Sequence, residues 1–252
     1  RPDQFQPLAG PVPESGGMTS ESPVLQTDPA ARAASSPGKL SFTIAAPVVM
    51  LQEPNSAQAE SIRALRTHIM AQHVQEGRRA LAVCAATPGV GCTFTATNLA
   101  VSLSQIGVQT LLIDADLRKG GVSGLIRPSG PVEGLRQNLE SGESTYGDYI
   151  QHEVLPNLSI MYSGGVAPNA QELLGSERFD VLMNHCLRDF EVTILDTPPA
   201  NSCSDARRIA TVAGYAIIAT RQDVTRVRDV KTLIEQLTGD RAKIVGTVLN
   251  EG

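Results

Sequence analysis

Apolar and polar positions alternate with two distinct periods along the chain from about residue 47 onward. Between residues 56 and 75, the apolar residues Ile62, Leu65 and Ile69 recur at helical spacing, which predicts a helix with one buried face. Residues 80–85 form an unbroken apolar run that ends at a loop containing Pro and Gly. A short run of this kind is typical of a strand that is buried on both faces.

The same two patterns continue after this strand. Further strands are predicted at residues 110–113, 158–161, 192–195, 216–219 and 244–249. Further helices are predicted at residues 93–105, 169–187, 204–212 and 224–236. Strands that alternate with helices form parallel sheets with helices on both faces, so the pattern predicts an α/β fold with a mainly parallel sheet. Ligands of such sheets bind outside the carboxyl ends of the strands.

Residues 1–46 show neither period and are rich in Pro, Gly, Ser and Ala. A segment of this composition buries too little apolar surface to offset the entropy that it loses on ordering. We therefore predict a flexible, disordered tail at residues 1–46 and one folded domain at residues 47–252. A tail that folds on a partner is the alternative. Because the chain starts at Arg1 and not at Met, we interpret it as a fragment of a longer protein.

Composition narrows the class of protein. The net charge of −5 and the pI of about 5.4 argue against a nucleic-acid-binding protein, which usually carries a basic patch. The four cysteines, Cys84, Cys92, Cys186 and Cys203, form no CxxC pair, so we expect free thiols in a reducing cytoplasm. The sequence has neither an apolar run near 18 residues nor a signal-peptide pattern, so no membrane span is predicted.

The loop after the first buried strand has the residues of a phosphate-binding loop (P-loop). It occupies residues 86–93, between a predicted strand and a predicted helix. Gly89 and Gly91 allow the backbone to turn successive N–H groups toward a phosphate, and the helix that follows adds its positive dipole end. Thr93 stands where a hydroxyl that ligates Mg²⁺ is expected. A tight strand-to-helix turn without a ligand is the alternative.

Acidic residues end two other predicted strands. Asp114 and Asp116 place two carboxylates near the carboxyl edge of the sheet, where like charges require a cation or hydrogen-bond donors between them. Mg²⁺ suits such a site, although a helix cap plus a surface acid is an alternative interpretation. Asp196 ends the apolar run 192–195 in the manner of a Walker B acid, a pattern that on its own also fits an ordinary strand end. The three motifs together predict a site for a nucleoside phosphate and Mg²⁺ on a P-loop-type sheet.

These stretches resemble the motifs of the bacterial tyrosine kinases (BY-kinases), the cytoplasmic kinase domains of polysaccharide co-polymerase systems. That family has a P-loop, a second motif DxDxR and a third motif DxxP, which residues 86–93, 114–118 and 196–199 match. Residues 60–67 are similar to its ExxRxxR oligomerisation helix, 134–142 to its GL…L…G segment, and 164–176 to its G…PN..ELL.S segment. The resemblance covers about residues 47–250 and extends more distantly to partitioning and division-site ATPases.

The resemblance implies ATP or ADP and Mg²⁺ as cofactors, and it assigns roles residue by residue. The nucleotide contacts would be Pro88, Gly89, Val90, Gly91, Cys92, Thr93, Phe94 and Asn250. The metal would be held by Thr93, Asp114 and Asp196, and the catalytic acids would be Asp114, Asp116 and Asp196. Glu60, Arg63 and Arg66 would form an oligomerisation face, with an intrahelical ion-pair stripe as the alternative. It also implies homo-oligomers beside an inner-membrane polysaccharide co-polymerase that regulates chain length.

Two departures from the family pattern matter for function. Cys92 stands where the P-loop lysine belongs, and a short neutral thiol cannot supply the charge that this lysine brings to the β- and γ-phosphates. The family's C-terminal tyrosine cluster does not occur before Gly252, so either a tail was lost from this chain or there is no autophosphorylation target there. The tyrosines are Tyr146, Tyr149, Tyr162 and Tyr215. We expect Tyr215 in the core, and Tyr146 and Tyr149 at the surface.

These departures leave three functional hypotheses. The first is a degenerate kinase (pseudokinase) that binds a nucleotide and acts through oligomers and a partner. The second is a slow, active tyrosine autokinase in which Arg118 or Lys119 replaces the lysine. The third is a partitioning-type ATPase switch. A redox role for Cys92 is a further possibility, since thiols at helix N-termini have lowered pKa values, although a neutral space-filling thiol is the simpler interpretation.

Overall fold

The computed structural model describes residues 40–74, 77–141 and 145–251. Its centre is a seven-stranded sheet in the order β5-β6-β3-β7-β2-β8-β9, in which β5 alone is antiparallel to its neighbour. The strands are β2 (Ala80–Ala85), β3 (Thr110–Asp114), β5 (Gln151–Leu155), β6 (Leu158–Met161), β7 (Val192–Asp196), β8 (Tyr215–Arg221) and β9 (Lys243–Asn250). The predicted α/β fold with a mainly parallel sheet is therefore confirmed.

Helices cover both faces of this sheet, as predicted. One face carries α1 (Val49–Gln52), α2 (Ala57–Ile69) and α3 (Cys92–Ser104), and the other carries α5 (Leu135–Ser141), α6 (Ala170–Gly175), α7 (Glu177–Asp189), α8 (Asp205–Ala213) and α9 (Val227–Gly239). Strand β2 shows why two faces are needed, because its side chains alternate between them. Ala82 and Cys84 belong to the buried cluster under α7 and α8, whereas Leu81 and Val83 belong to the cluster under α2 and α3.

Two predicted helices have different bounds in the structure. Residues 169–187 form two helices, because Ser176 adopts an extended conformation and its hydroxyl donates to the carbonyl of Leu173 at the end of α6. Gly175 weakens the helix at the same point. The last helix begins at Val227 and not at 224, because the Thr225 hydroxyl accepts the backbone N–H of Arg221 and holds a turn there.

The structure also contains elements that the periodic pattern does not predict. They are β1 (Phe42–Ile44), α4 (Val122–Leu125), β4 (Ile126–Pro128), α5, β5, a π-helical turn at Met70–Val74 and a 3-10 turn at Tyr146–Tyr149. Strands β1 and β4 pair with each other in a small antiparallel ribbon. The predicted tail boundary at residue 46 is therefore too late, since Phe42 and Ile44 pack against the core. The rest of the predicted tail, residues 1–39, lies outside the described residues.

The helices in the described ranges are too short or too polar to cross a bilayer.

Candidate nucleotide site at the carboxyl edge of the sheet

The P-loop lies at the end of the central strand β2, between β7 and β8. Gly89 and Gly91 adopt left-handed backbone angles, with φ of 74° and 90°, which side-chain-bearing residues rarely adopt. The backbone angle of Gly91 favours glycine, and a Cβ atom there would lie 2.5 Å from the Asn250 side-chain nitrogen and would displace that side chain. Gly91 also precedes the first residue of α3, where the free N–H groups of the helix point into the loop.

A second loop, which follows β3, packs directly on the start of α3. A Cβ atom on Gly121 would lie 2.7 Å from the Thr93 hydroxyl, and one on Gly120 would lie 3.5 Å from the Asp114 carboxylate. Because Gly120 and Gly121 are adjacent, Thr93 and Asp114 both lie beside this loop. The three predicted motifs thus meet at one edge, because Asp114 and Asp196 are also directly paired in the register of β3 and β7.

Asp114 and Asp196 are both fully buried. One oxygen of Asp114 accepts the backbone N–H groups of Gly121 and Val122 at 2.9 and 3.1 Å. Burial nevertheless raises the pKa of Asp114 to about 6, because the two backbone donors offset only part of the lost solvation. Burial raises the pKa of Asp196 well above its usual range, and the nearby charge of Asp114 adds to this shift.

The unpaired oxygens of these two acids fit a divalent cation. The second oxygen of Asp114 and both oxygens of Asp196 have no hydrogen-bond partner of good geometry, although Thr93 and Cys92 are close enough to lower the pKa of Asp196 slightly. Buried carboxylate oxygens without partners are costly, and Mg²⁺ beside them would remove that cost. Within the described ranges, no three His, Cys, Asp or Glu side chains group to hold a metal. Mg²⁺ needs fewer protein ligands than that, since it keeps waters and takes phosphate oxygens.

Asp116 has a different environment from the other two acids. Its carboxylate accepts the backbone N–H groups of Arg118 and Lys119 at 3.0 and 3.1 Å, so it shapes the loop after β3. The Arg118 guanidinium forms a two-point ion pair with Asp205, a buried residue at the start of α8, at 2.7 and 3.2 Å. Arg118 is therefore paired with Asp205, whose carboxylate offsets the positive charge that a replacement for the missing lysine would need.

Cys92 turns away from the mouth of the loop. Its thiol donates to the carbonyl of Val83 at 2.8 Å, beneath the loop. Burial raises the pKa of Cys92 well above its usual range, with a further contribution from the charge of Asp196. The raised pKa favours the neutral thiol, and this argues against the thiolate that the redox hypothesis requires.

The remaining predicted nucleotide contacts differ in what they can offer. Pro88 and Gly89 are exposed at the tip of the loop, whereas Val90 is buried. The Phe94 side chain is partly buried and packs against the cluster under α2 and α3. Asn250, at the end of β9, donates its side-chain N–H to the carbonyl of Val90 at 2.7 Å.

One residue that the sequence analysis did not consider also bonds the loop. Arg221 ends β8, and its guanidinium donates to the carbonyl of Gly89 at 3.2 Å. Its position beside the loop follows from the pairing of β8 with β2, which a sequence pattern alone does not reveal. The signal that could have found it is its place at the carboxyl end of a predicted strand.

The predicted oligomerisation residues lie on α2, as expected. Glu60 and Arg63 form an ion pair at 2.9 Å on the same helix, and the Glu60 side chain is 75% exposed. Arg66 donates to the carbonyl and hydroxyl oxygens of Ser102 on α3, at 3.1 and 3.2 Å. Arg66 thus links two helices of its own chain, which leaves Glu60 as the most accessible of the three.

The tyrosines and cysteines follow the predictions with one exception. Tyr149 is buried, so the expectation that it lies at the surface is wrong, whereas Tyr146 is only partly buried. Tyr215 packs against the core as expected. The four cysteines are free thiols, in agreement with the prediction.

Comparisons with known proteins identify the family. A family model described as an AAA domain matches residues 78–244. The tyrosine-protein kinase CpsD of Streptococcus agalactiae is 34% identical over 192 residues, which cover 76% of this chain and 82% of that protein. The chain belongs to the bacterial tyrosine kinase family. The fold comparison agrees, because the kinase domain of the Escherichia coli tyrosine kinase Etk superposes with a TM-score of 0.74 at 28% identity, covering 81% of this chain and 79% of that domain.

Family membership places the residues described above in a P-loop nucleotide fold. The match to longer relatives is partial: the tyrosine-protein kinase Wzc of Salmonella typhimurium is 30% identical over 197 residues, which span 27% of that protein. The chain therefore corresponds to one part of such a relative. Cys92 lies inside the region matched by the family model.

Proposed function

We propose that this protein is a nucleotide-binding regulator of capsule or exopolysaccharide assembly in which phosphoryl transfer is weak or lost. It acts in the cytoplasm, as a homo-oligomer beside the inner membrane, by docking a polysaccharide co-polymerase that controls chain length. The observation that supports the proposal is that three residues suited to hold Mg²⁺ lie together beside a phosphate loop that lacks its lysine. Thr93, Asp114 and Asp196 meet at one edge, while Cys92 leaves the loop without its lysine.

The chemistry follows from these residues. The loop backbone and the start of α3 offer N–H groups to phosphate oxygens, and Asp114, Asp196 and Thr93 are suited to hold Mg²⁺ with its waters. When bound, Mg²⁺ would neutralise charge between the two outer phosphates. The Cys92 thiol donates to the carbonyl of Val83 and carries no positive charge, so it does not stabilise the negative charge that develops on the phosphate during transfer. Binding is thus expected to survive better than transfer.

Calorimetric titration of the chain with ADP and ATP, with and without Mg²⁺, tests the proposal. We expect Mg²⁺-dependent binding and a loss of the Mg²⁺ effect in Asp196→Asn. A kinase assay on the same protein should show little tyrosine phosphorylation. Cys92→Lys should increase both binding and transfer, because a charge-assisted hydrogen bond contributes about 1.5–3 kcal/mol. Absence of binding at millimolar nucleotide would refute the nucleotide-binding part, and robust phosphorylation by the unmodified chain that Asp114→Ala abolishes would refute the pseudokinase part.

A slow, active tyrosine autokinase is the second candidate. It requires another cation at the loop, and Arg118 is unsuitable because its guanidinium pairs with Asp205. Lys119 is exposed and bonds Asp116 through its backbone N–H. Loss of phosphorylation in Lys119→Gln, with nucleotide binding unchanged, would favour this candidate. The partitioning-type ATPase switch ranks third, since it depends on lysines that this loop lacks.

A further inference from the structure

Arg221 lies beside a P-loop that has no cationic side chain of its own, at an edge of the sheet that carries several acidic residues. The edge holds three carboxylates, Asp114, Asp116 and Asp196, and the loop itself contains no cationic side chain. A polyphosphate that approaches this edge meets negative charge, so tight binding requires a cation in addition to Mg²⁺. Arg118 does not meet this need, because Asp205 accepts two of its N–H groups.

The strand register fixes Arg221 next to the loop. Ala219 on β8 pairs with Ala85, the last residue of β2, so Arg221 lies beyond the point where the loop begins. Its backbone N–H donates to the Thr225 hydroxyl at 2.9 Å, and its Cα is paired with Asn250 on β9. These contacts hold the backbone of Arg221 at the carboxyl edge of the sheet.

The side chain of Arg221 reaches the loop on the side away from Asp114. Its guanidinium donates one N–H to the carbonyl of Gly89, the exposed glycine at the tip of the loop. Among the described residues, this is the one hydrogen bond that joins a cationic side chain to the P-loop. Since a guanidinium carries several N–H donors in a planar fork, others stay available for a phosphate while the bond to Gly89 is kept.

We propose that Arg221 supplies the positive charge for binding the phosphates of a nucleotide in place of the lysine that Cys92 replaces. The cation thus comes from the end of a neighbouring strand instead of from the first turn of α3. This inference rests on the proposed nucleotide binding and specifies which residue makes it possible.

Titration calorimetry with ADP and with inorganic tripolyphosphate, both with Mg²⁺, tests this role on the full chain. Arg221→Gln should weaken the binding of both ligands by about tenfold, which is the expected loss of one charge-assisted hydrogen bond. Arg221→Lys should recover part of this loss, because it keeps the charge. Arg226→Gln is the matched control, since Arg226 is an exposed arginine five residues further along, and it should bind like the unmodified chain.

The two ligands separate a phosphate contact from other roles. Unchanged tripolyphosphate affinity in Arg221→Gln would overturn the inference, whether or not ADP affinity falls, because only a contact to the base or the sugar would then remain. Equal losses in Arg221→Gln and Arg221→Lys would also overturn it, since they would indicate that the bond to Gly89 merely shapes the loop. If the unmodified chain binds neither ligand, the proposed nucleotide binding fails together with this inference.

A double-mutant cycle adds a readout that a purely structural role would not produce. In the Cys92→Lys background the lysine restores the charge inside the loop, so Arg221→Gln should cost much less affinity than it does beside Cys92. Equal effects in the two backgrounds would show that Arg221 does not compensate for the missing lysine.

Discussion

At the scale of single residues, the two buried acids make the stability of the ligand-free protein depend on pH. The pKa of Asp114 rises from 3.8 to about 6 on folding, and that of Asp196 is also raised well above its usual range, because burial penalises the charged form. Carboxyls with raised pKa values bind more protons in the folded protein than in the unfolded chain. Their contribution to stability is therefore lost as the pH rises from about 4 through about 6 and beyond.

We expect Asp196→Asn to stabilise the ligand-free protein at pH 7.5, by about 1 kcal/mol or more, because it removes an uncompensated buried charge. The gain should be smaller at pH 4.5, because a raised pKa favours the neutral form of Asp196 as the pH falls. Urea unfolding at the two pH values, without Mg²⁺ or nucleotide, measures the difference. Glu235→Gln, at an exposed position on α9, should show no such pH dependence. An equal change at both pH values for Asp196→Asn would contradict this explanation.

Cys92 leads to a prediction about reactivity. Because burial raises the pKa of its thiol, the reactive thiolate is scarce near neutral pH. We expect Cys92 to react with iodoacetamide at pH 7.5 more slowly than the thiol of glutathione, as followed by mass spectrometry of the peptide that contains it. A rate equal to or above that of glutathione would indicate an exposed, activated thiol and would reopen the redox hypothesis.

At the scale of elements, the ion pair between Arg118 and Asp205 connects the loop after β3 to α8. Asp205 is buried and the Arg118 guanidinium contacts both of its oxygens, so removing the arginine leaves a buried charge without its cationic partner. We expect Arg118→Gln to lower the free energy of unfolding by about 1–3 kcal/mol. Arg228→Gln breaks an exposed pair with Asp229 and should change stability by less than about 0.5 kcal/mol, so thermal denaturation of both variants checks the contrast. Similar small effects in both would mean that the buried pair is energetically unimportant.

The same scale shows what the sequence pattern could predict. The six parallel strands were all predicted, because each contains an apolar run. Five of them lie inside the sheet and are largely buried on both faces, whereas β9 lies at an edge and is only partly buried. Strand β5 was missed because it lies at an edge of the sheet, with exposed side chains and a register shift that remove any regular alternation. The short helices α4 and α5 were not predicted for another reason, since one or two turns are too short to show a helical period.

The candidate site likewise contains residues whose positions the sequence predicts and residues whose contacts it does not. The acids Asp114 and Asp196 could be brought together from sequence, because both end buried parallel strands whose carboxyl ends meet at one edge. The partners of Arg118 and Arg221 could not, since they depend on contacts between residues that are distant in the chain, such as Asp205 and Gly89. The spacing of Asp114 and Asp116 suggested a shared cation, and the family resemblance assigned Asp116 as a catalytic acid; the structure shows the Asp116 carboxylate bonded to the backbone of its own loop.

At the scale of the whole molecule, a substitution on the exposed face of α2 can test assembly without disturbing the fold. The predicted role of α2 in oligomers rests on Glu60, Arg63 and Arg66, and these three residues differ in the contacts that they make within their own chain. Arg66 bonds to α3 and Arg63 bonds to the backbone of Pro54, so substitution of either also disturbs internal contacts. Glu60 is the suitable probe, since its side chain is mostly exposed and its pair with Arg63 lies on the surface.

We expect the unmodified chain to form concentration-dependent oligomers in sedimentation velocity experiments and Glu60→Lys to shift it toward the monomer, because a reversed charge repels the basic residues that this face would meet on a second copy. Glu235→Lys makes the same change in charge on α9 and should leave assembly unaltered, while both variants keep the melting temperature of the unmodified chain. Equal loss of oligomers in the two variants would indicate a general effect of net charge. A chain that stays monomeric at every concentration would leave the α2 face without a role in self-association, and the residues of α2 would then be ordinary intrachain ion pairs and hydrogen bonds.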